Sequence, residues 1–131
     1  MFSRRSVLIT AALGLTLLSP ALAADTAHTP YTQQAFEAAL KEGKPVLVQV
    51  HASWCPTCRT QSPIIDKLGT TEKFQNMTVL RVDFDSQKDV CEKFGVQTQS
   101  TLIVFKDGKE VGRSVGDTGA DSIEALLGKA L

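Results

Sequence analysis

Cys55 and Cys58 lie three residues apart in Trp54-Cys55-Pro56-Thr57-Cys58, just after the apolar run Val46-Leu47-Val48-Gln49-Val50. Helical spacing follows them, so the motif falls at a strand-to-helix junction. There a sulfur meets unpaired backbone N–H groups and the positive end of the helix dipole, and both stabilise a thiolate. The thiolate, not the thiol, attacks disulfides, and such positions lower the pKa of the first cysteine. The three-residue offset turns the second sulfur back toward the first on one helical face. The pair can then alternate between dithiol and disulfide. Cys55 is expected to be the exposed nucleophile, and Cys58 the thiol that resolves the mixed disulfide. A permanent structural bridge is the blander reading, but closing so short a loop gains little chain entropy.

The elements around the motif follow from punctuation and periodicity. Thr32 caps a helix carrying Phe36, Ala39 and Leu40 and stopped by Gly43. Val46 to Ala52 reads as a buried strand. Cys55 to Leu68 reads as a helix, with Pro63 expected to kink it. A helical turn at Phe74 and Met77 leads to a strand from Thr78 to Phe84. Ser86 with Asp89 opens a helix carrying Val90, Cys91 and Phe94 and ended by Gly95. Thr101 to Lys106 and Lys109 to Val115 form a hairpin about Asp107-Gly108. Gly116 breaks the chain, and Asp121 to Leu131 is a final amphipathic helix. The order α-β-α-β-α-β-β-α implies an α/β fold: a mixed sheet, part parallel and part antiparallel, with helices on both faces.

Residues 1–23 read as a cleaved signal peptide. Arg4 and Arg5 precede an apolar core from Val7 to Leu18, and Ala21-Leu22-Ala23 is a small-x-small cleavage site. The core is short for a membrane span. The paired arginines fit either the general secretory or the twin-arginine route, and both lead to a bacterial periplasm. Residues 24–30 read as a flexible leader, with His28 solvated, and residues 31–131 as one domain. Removing 23 of 131 residues leaves 108, with 12 basic and 14 acidic side chains, because Arg4 and Arg5 go and no acid does. A net charge of −2 gives no electrostatic case for nucleic acid or an anionic membrane surface.

With these elements in place the chain resembles the thioredoxin family, from about Tyr31 to Leu131. Four marks carry the resemblance: Trp54-Cys55-Pro56-Thr57-Cys58; Pro63, five residues after Cys58; the Phe94-Gly95-Val96 turn; and Thr101 through Lys109. The Cys-Pro-Thr-Cys sequence is similar to that of periplasmic thioredoxin-like reductases serving cytochrome c maturation. The compact length looks more like a plain thioredoxin, or the soluble domain of a transmembrane disulfide reductase. The resemblance implies a thioredoxin fold and a thiol–disulfide oxidoreductase that needs no organic cofactor, since Cys55 and Cys58 carry the electrons.

Two residues depart from the family pattern. Where the family usually has a cis-proline facing the active site, this chain has Ser100, within Gln97-Thr98-Gln99-Ser100-Thr101. A cis bond before a non-proline residue costs about 3–4 kcal/mol, so the Gln99–Ser100 bond is expected to be trans, with a changed loop. In the family this loop pairs with the substrate backbone and discourages metal capture. Gln49 stands where many members carry a buried acid that helps to deprotonate the second cysteine. An amide hydrogen-bonds but is no base at neutral pH, so slower activation of Cys58 is expected.

Other residues have plainer readings beside sharper ones. Trp54 offers a flat apolar substrate contact over the site, while Pro56 and Thr57 tune the helix start. Gln99 and Ser100 are candidate substrate contacts. His51 could tune the thiolate or join the cysteines around a metal, but strand alternation favours local packing. Arg81, Asp83 and Asp85 flank the second strand; Arg81 could lie near the active-site electrostatics, but solvated or paired charges are the plainer reading. Cys91, spaced with Val90 and Phe94, reads as a buried apolar side chain rather than a third redox thiol. The leading reading is a periplasmic reductase acting on protein or small-molecule disulfides, recharged by an inner-membrane electron donor and monomeric. The alternatives are a module binding copper, zinc or an iron–sulfur cluster, or a non-catalytic peptide-binding partner. Two thiolates are too few for a closed zinc site.

Overall fold

The computed structural model describes residues 28–131. The expected signal peptide and most of the expected leader lie outside the described residues. The elements are β1 (Thr29–Pro30), α1 (Gln33–Lys41), β2 (Val46–His51), α2 (Pro56–Gly69), β3 (Thr78–Asp83), α3 (Lys88–Lys93), β4 (Thr101–Lys106), β5 (Lys109–Val115) and α4 (Ala120–Gly128). The strands form one mixed sheet in the order β1-β3-β2-β4-β5.

β2 lies at the centre because its side chains are buried on both faces, from Val46 through Val50. It pairs in parallel with β3, which requires the α2 crossover, and antiparallel with β4. The β4–β5 hairpin turns at Asp107 and Gly108, with φ of 50° and 78°. Two successive positive φ values suit the right-handed strand twist, and the second falls on the residue that adopts them most freely.

The two sheet faces bury separate clusters. Val46, Val48, Val50, Leu80, Val82, Ile103 and Phe105 pack against Phe36 and Ala39 of α1 and Cys91 of α3. Leu47, Leu102 and Val104 pack against Ile65 of α2 and Ile123, Leu126 and Leu127 of α4. Each face therefore has its own pair of helices.

Several expectations shift. The leader is expected to be flexible to Pro30, but Thr29–Pro30 pairs in parallel with Leu80 and Arg81 of β3. His28 is not solvated: its side chain is 8% exposed and its Nε2 lies 3.3 Å from Asp66 Oδ1. Thr32 caps α1 as expected, accepting the Ala35 N–H at 3.0 Å. Ser86 does not cap α3, which begins after Gln87 without a side-chain cap. Asp83 Oδ1 instead accepts the N–H groups of Asp85 and Ser86, which ties that loop to the end of β3. α2 spans Pro56–Gly69 with Pro63 inside it, matching the single helix expected there. α4 ends at Gly128, short of Leu131.

Candidate active site

β2 delivers the chain to a tight turn in which Cys55 N–H donates to Ala52 O at 3.1 Å. Cys55 then takes the N-cap position of α2, with extended backbone at φ −87° and ψ 112°. Its Sγ accepts the Cys58 N–H at 3.1 Å, filling the role that a serine or aspartate oxygen plays in an ordinary cap. Pro56 follows at the first helical position, where its missing N–H would have had no intrahelical partner anyway. Cys58 lies one turn into the helix, on the buried side that continues through Gln61 and Ile65. All three cysteines are free thiols, so the pair is in its dithiol form.

The expectation that Cys55 is the exposed member is corrected. Cys55 is 1% exposed and Cys58 0%, with Ala52 and Phe84 packed about them. Both sulfurs are buried, and the balance of burial against hydrogen bonding sets them apart. Burial pushes the Cys55 thiol up, but bonds from the Cys58 and Ser100 side chains and from the Cys58 and Thr57 amides outweigh it, and its pKa falls below the ordinary value. Burial also pushes Cys58 up, and there the bond to Cys55 adds to the effect, so its pKa rises. The thiolate is therefore favoured on Cys55 and the thiol on Cys58.

From outside the helix, Ser100 brings its hydroxyl to both sulfurs. Its Oγ lies 3.1 Å from Cys55 Sγ and 3.3 Å from Cys58 Sγ. The Gln99–Ser100 bond is trans, as expected, since no cis peptide occurs among the described residues. The changed loop takes the form of a positive φ of 65° at Ser100. A non-glycine residue there is strained and must be held by its surroundings. Ser100 N–H donates to Val50 O at 2.9 Å, while Ser100 O accepts the Gly116 N–H at 3.0 Å and Gln61 Nε2 at 3.2 Å.

Gln49 does not touch either sulfur. Its Nε2 donates to Ser62 Oγ at 3.3 Å, and its Oε1 accepts from the Arg81 guanidinium at 3.4 Å. Arg81 Nη2 also donates to Ser62 Oγ at 3.0 Å, and Ser62 Oγ donates to Cys58 O at 2.9 Å. Arg81 is therefore not an ordinary solvated charge. It closes an internal network that reaches the backbone of the resolving cysteine. His51 sits on β2 opposite Asp83, and burial, then Arg81 and His28, lower its pKa. Among the described residues no three His, Cys, Asp or Glu side chains come together as a metal-binding group, so His51 does not complete a donor set with Cys55 and Cys58.

Trp54 is 52% exposed, with its indole N–H donating to Asp85 Oδ2 at 2.8 Å. It presents an anchored apolar face beside the motif. Pro56 is exposed, and Thr57 and Gln99 are half-buried. The Thr98 hydroxyl lies 3.1 Å from Gln99 Oε1. Cys91 is buried in the α1–α3 cluster, and burial raises its pKa. Sequence reasoning missed Gln61 and Ser62. Gln61 is fully buried, and its Nε2 also holds Asp117 O at 2.8 Å. The signal was available: Gln61 follows Cys58 by three residues, at the spacing of the buried face.

The family model described as thioredoxin matches residues 27–129. Thioredoxin of Chlamydia muridarum is 42% identical over 84 residues, covering 64% of this chain and 80% of that protein. Thioredoxin of Alicyclobacillus acidocaldarius is 31% identical over 100 residues, covering 76% and 94%. Among solved structures, Trxlp from Edwardsiella tarda EIB202 superposes with a TM-score of 0.74 at 39% identity, covering 77% of this chain and 98% of its own.

Proposed function

Since this chain belongs to the thioredoxin family and is a thiol–disulfide oxidoreductase, we propose that it acts as a periplasmic reductase that passes electrons from its dithiol to substrate disulfides. The observation that carries the chemistry is the Cys55 sulfur at the α2 cap, holding the Cys58 N–H at 3.1 Å with its pKa lowered. The Cys55 thiolate attacks one sulfur of a substrate disulfide, forming a mixed disulfide and expelling the first substrate thiolate. Cys58 loses its proton and attacks Cys55 Sγ, forming the Cys55–Cys58 disulfide and expelling the second. Two electrons pass from the pair to the substrate; Cys58 gives up one proton in the second step, and Cys55, attacking as thiolate, has already given up its own. The sulfurs carry the electrons, so no organic cofactor takes part.

The periplasmic setting rests on Arg4, Arg5, the apolar core to Leu18 and the Ala21-Leu22-Ala23 site. A reductant there must be recharged, which calls for an inner-membrane electron donor. The substrates are protein or small-molecule disulfides, met by the monomer through Trp54 and the Gln99–Ser100 loop. Expression of the full chain in a bacterium, with fractionation and thiol labelling of the released protein, tests this reading. The expected result is a 108-residue periplasmic form held mainly as dithiol. A cytoplasmic, uncleaved chain would overturn the location, and a pair held as disulfide in the periplasm would overturn the direction.

A further inference from the structure

The resolving step poses a difficulty in this chain. The raised pKa of Cys58 favours its thiol form, yet the buried Gln49 is an amide and bonds to Ser62 and Arg81 rather than to a sulfur. A group that takes the Cys58 proton must reach Cys58 Sγ. Among the described side chains hydrogen-bonded to that sulfur, the one oxygen is Ser100 Oγ at 3.3 Å, and the same oxygen lies 3.1 Å from Cys55 Sγ. A hydroxyl accepts one proton while giving up another, and an amide carbonyl or an alkyl side chain does not.

We propose that the Ser100 hydroxyl is a catalytic proton relay for the resolving step, carrying the Cys58 proton to the substrate sulfur that leaves Cys55. In the mixed disulfide, the Cys58 S–H donates to Ser100 Oγ. As Cys58 Sγ bonds to Cys55 Sγ, its proton passes to Ser100 Oγ and the Ser100 hydroxyl proton passes to the departing substrate sulfur. The bond from Cys55 to the substrate sulfur breaks, the Cys55–Cys58 bond forms, and Ser100 ends as it began. Two electrons go to the substrate and no free thiolate accumulates. The relay rests on the Cys55–Cys58 exchange chemistry proposed above.

The fold holds Ser100 for this task. Its φ of 65° is fixed by three hydrogen bonds to its own backbone, from its N–H to Val50 O and onto its carbonyl from Gly116 N–H and Gln61 Nε2. A strained backbone held this firmly places the hydroxyl without further reorganisation. Proline could not keep this geometry, since its ring fixes φ near −65°.

The test is rapid-mixing kinetics of the reduced protein with glutathione disulfide and, separately, with the aromatic disulfide that releases thionitrobenzoate. In each, the first thiol released reports attack by Cys55 and the second reports resolution by Cys58. Glutathione leaves as a basic alkyl thiolate that needs a proton, whereas thionitrobenzoate leaves without one. Ser100→Gly deletes the hydroxyl and suits the positive φ. The expected result is a second phase slowed by about 10²-fold with glutathione disulfide, in the range of acid–base catalysis, and slowed also but by less with the aromatic disulfide, where only the uptake of the Cys58 proton is lost. Equal slowing with both, or no slowing, would overturn the relay. A first phase that proceeds in the parent while the second ignores Ser100 separates failure of the relay from failure of the exchange chemistry. The parent protein supplies a measurement free of folding effects. Mixed light- and heavy-water rates of its second phase with glutathione disulfide should curve, as two moving protons require. A linear dependence would contradict the relay.

Discussion

The two faces of the central sheet share the same strands but bury different chemistry. Toward α1 and α3, β2, β3 and β4 present Val46, Val48, Val50, Leu80, Val82, Ile103 and Phe105. There Phe36, Phe94 and Phe105 meet with ring centroids 5.5, 5.0 and 5.7 Å apart, at tilted or edge-on angles. Toward α2 and α4 the core is apolar at Leu47, Leu102, Val104 and Ile123, but nearer the cysteines it includes Gln49 and Gln61, both fully buried. Burying an amide costs free energy unless it is hydrogen-bonded, and Gln61 Oε1 has no partner among the described residues. One face is built for stability. The other gives some up to position two sulfurs and a strained serine.

Substitutions should separate the faces. The largest effect falls on the cysteine face: Cys55→Ser should abolish disulfide turnover while moving the thermal midpoint little. Cys58→Ser should stop at a mixed disulfide on Cys55, seen as added mass in non-reducing mass spectrometry. Next comes the apolar face. Phe36→Ala removes a ring that touches Tyr31, Phe94 and Phe105 and should cost about 3–5 kcal/mol in denaturant unfolding, with thiol exchange rates unchanged in the folded protein. A slowed exchange in that variant would mean that the faces are coupled. Gln61→Ala frees Ser100 O and Asp117 O from their shared donor. It should cost about 1–3 kcal/mol and also slow resolution, so it moves both readouts.

The smallest effect is in pH dependence. The lowered pKa of Cys55 means that the folded dithiol ionises before the unfolded chain does. Its contribution to stability is therefore present above the unfolded value of 9.0 and is lost as pH falls through the folded one. Cys58, with a raised pKa, works in the opposite sense: its contribution is present below 9.0 and lost as pH rises through the folded value. The pair titrates as a coupled unit. Alkylation of Cys55 should gain speed at lower pH than that of an ordinary thiol. Cys91, raised by burial, should stay slow over the same range.

The fold was legible because its signals are local. Thr32 caps where a threonine should, Asp107-Gly108 turns where two positive φ values are required, and β2 reads as apolar because both its faces are covered. The Cys55–Cys58 junction was legible for the same reason. What stayed hidden depends on contacts distant in sequence. β1 is two residues long and gains its meaning from β3, some fifty positions away. Arg81 reads in sequence as a solvated or paired charge with a sharper active-site alternative, and only register, which sets it opposite Gln49 and beside Ser62, decides between them. The sequence marked Ser100 as unusual, but a hydroxyl shared by two sulfurs appears only when the loop packs on α2. Exposure of Cys55 was misjudged because a helix start is often open to solvent, and here Ala52, Phe84 and Ser100 close it.

The most direct test of the Cys55–Cys58 couple is a redox titration of the mature protein in glutathione and dithiothreitol buffers, with each thiol identified by mass labelling. The expected result is one reversible two-electron transition confined to Cys55 and Cys58, with Cys91 unchanged. A midpoint near that of thioredoxin, about −270 mV, would mark a reductant, and one near about −120 mV an oxidant. The contradicting result is the absence of a reversible transition at this pair, or a transition that consumes Cys91.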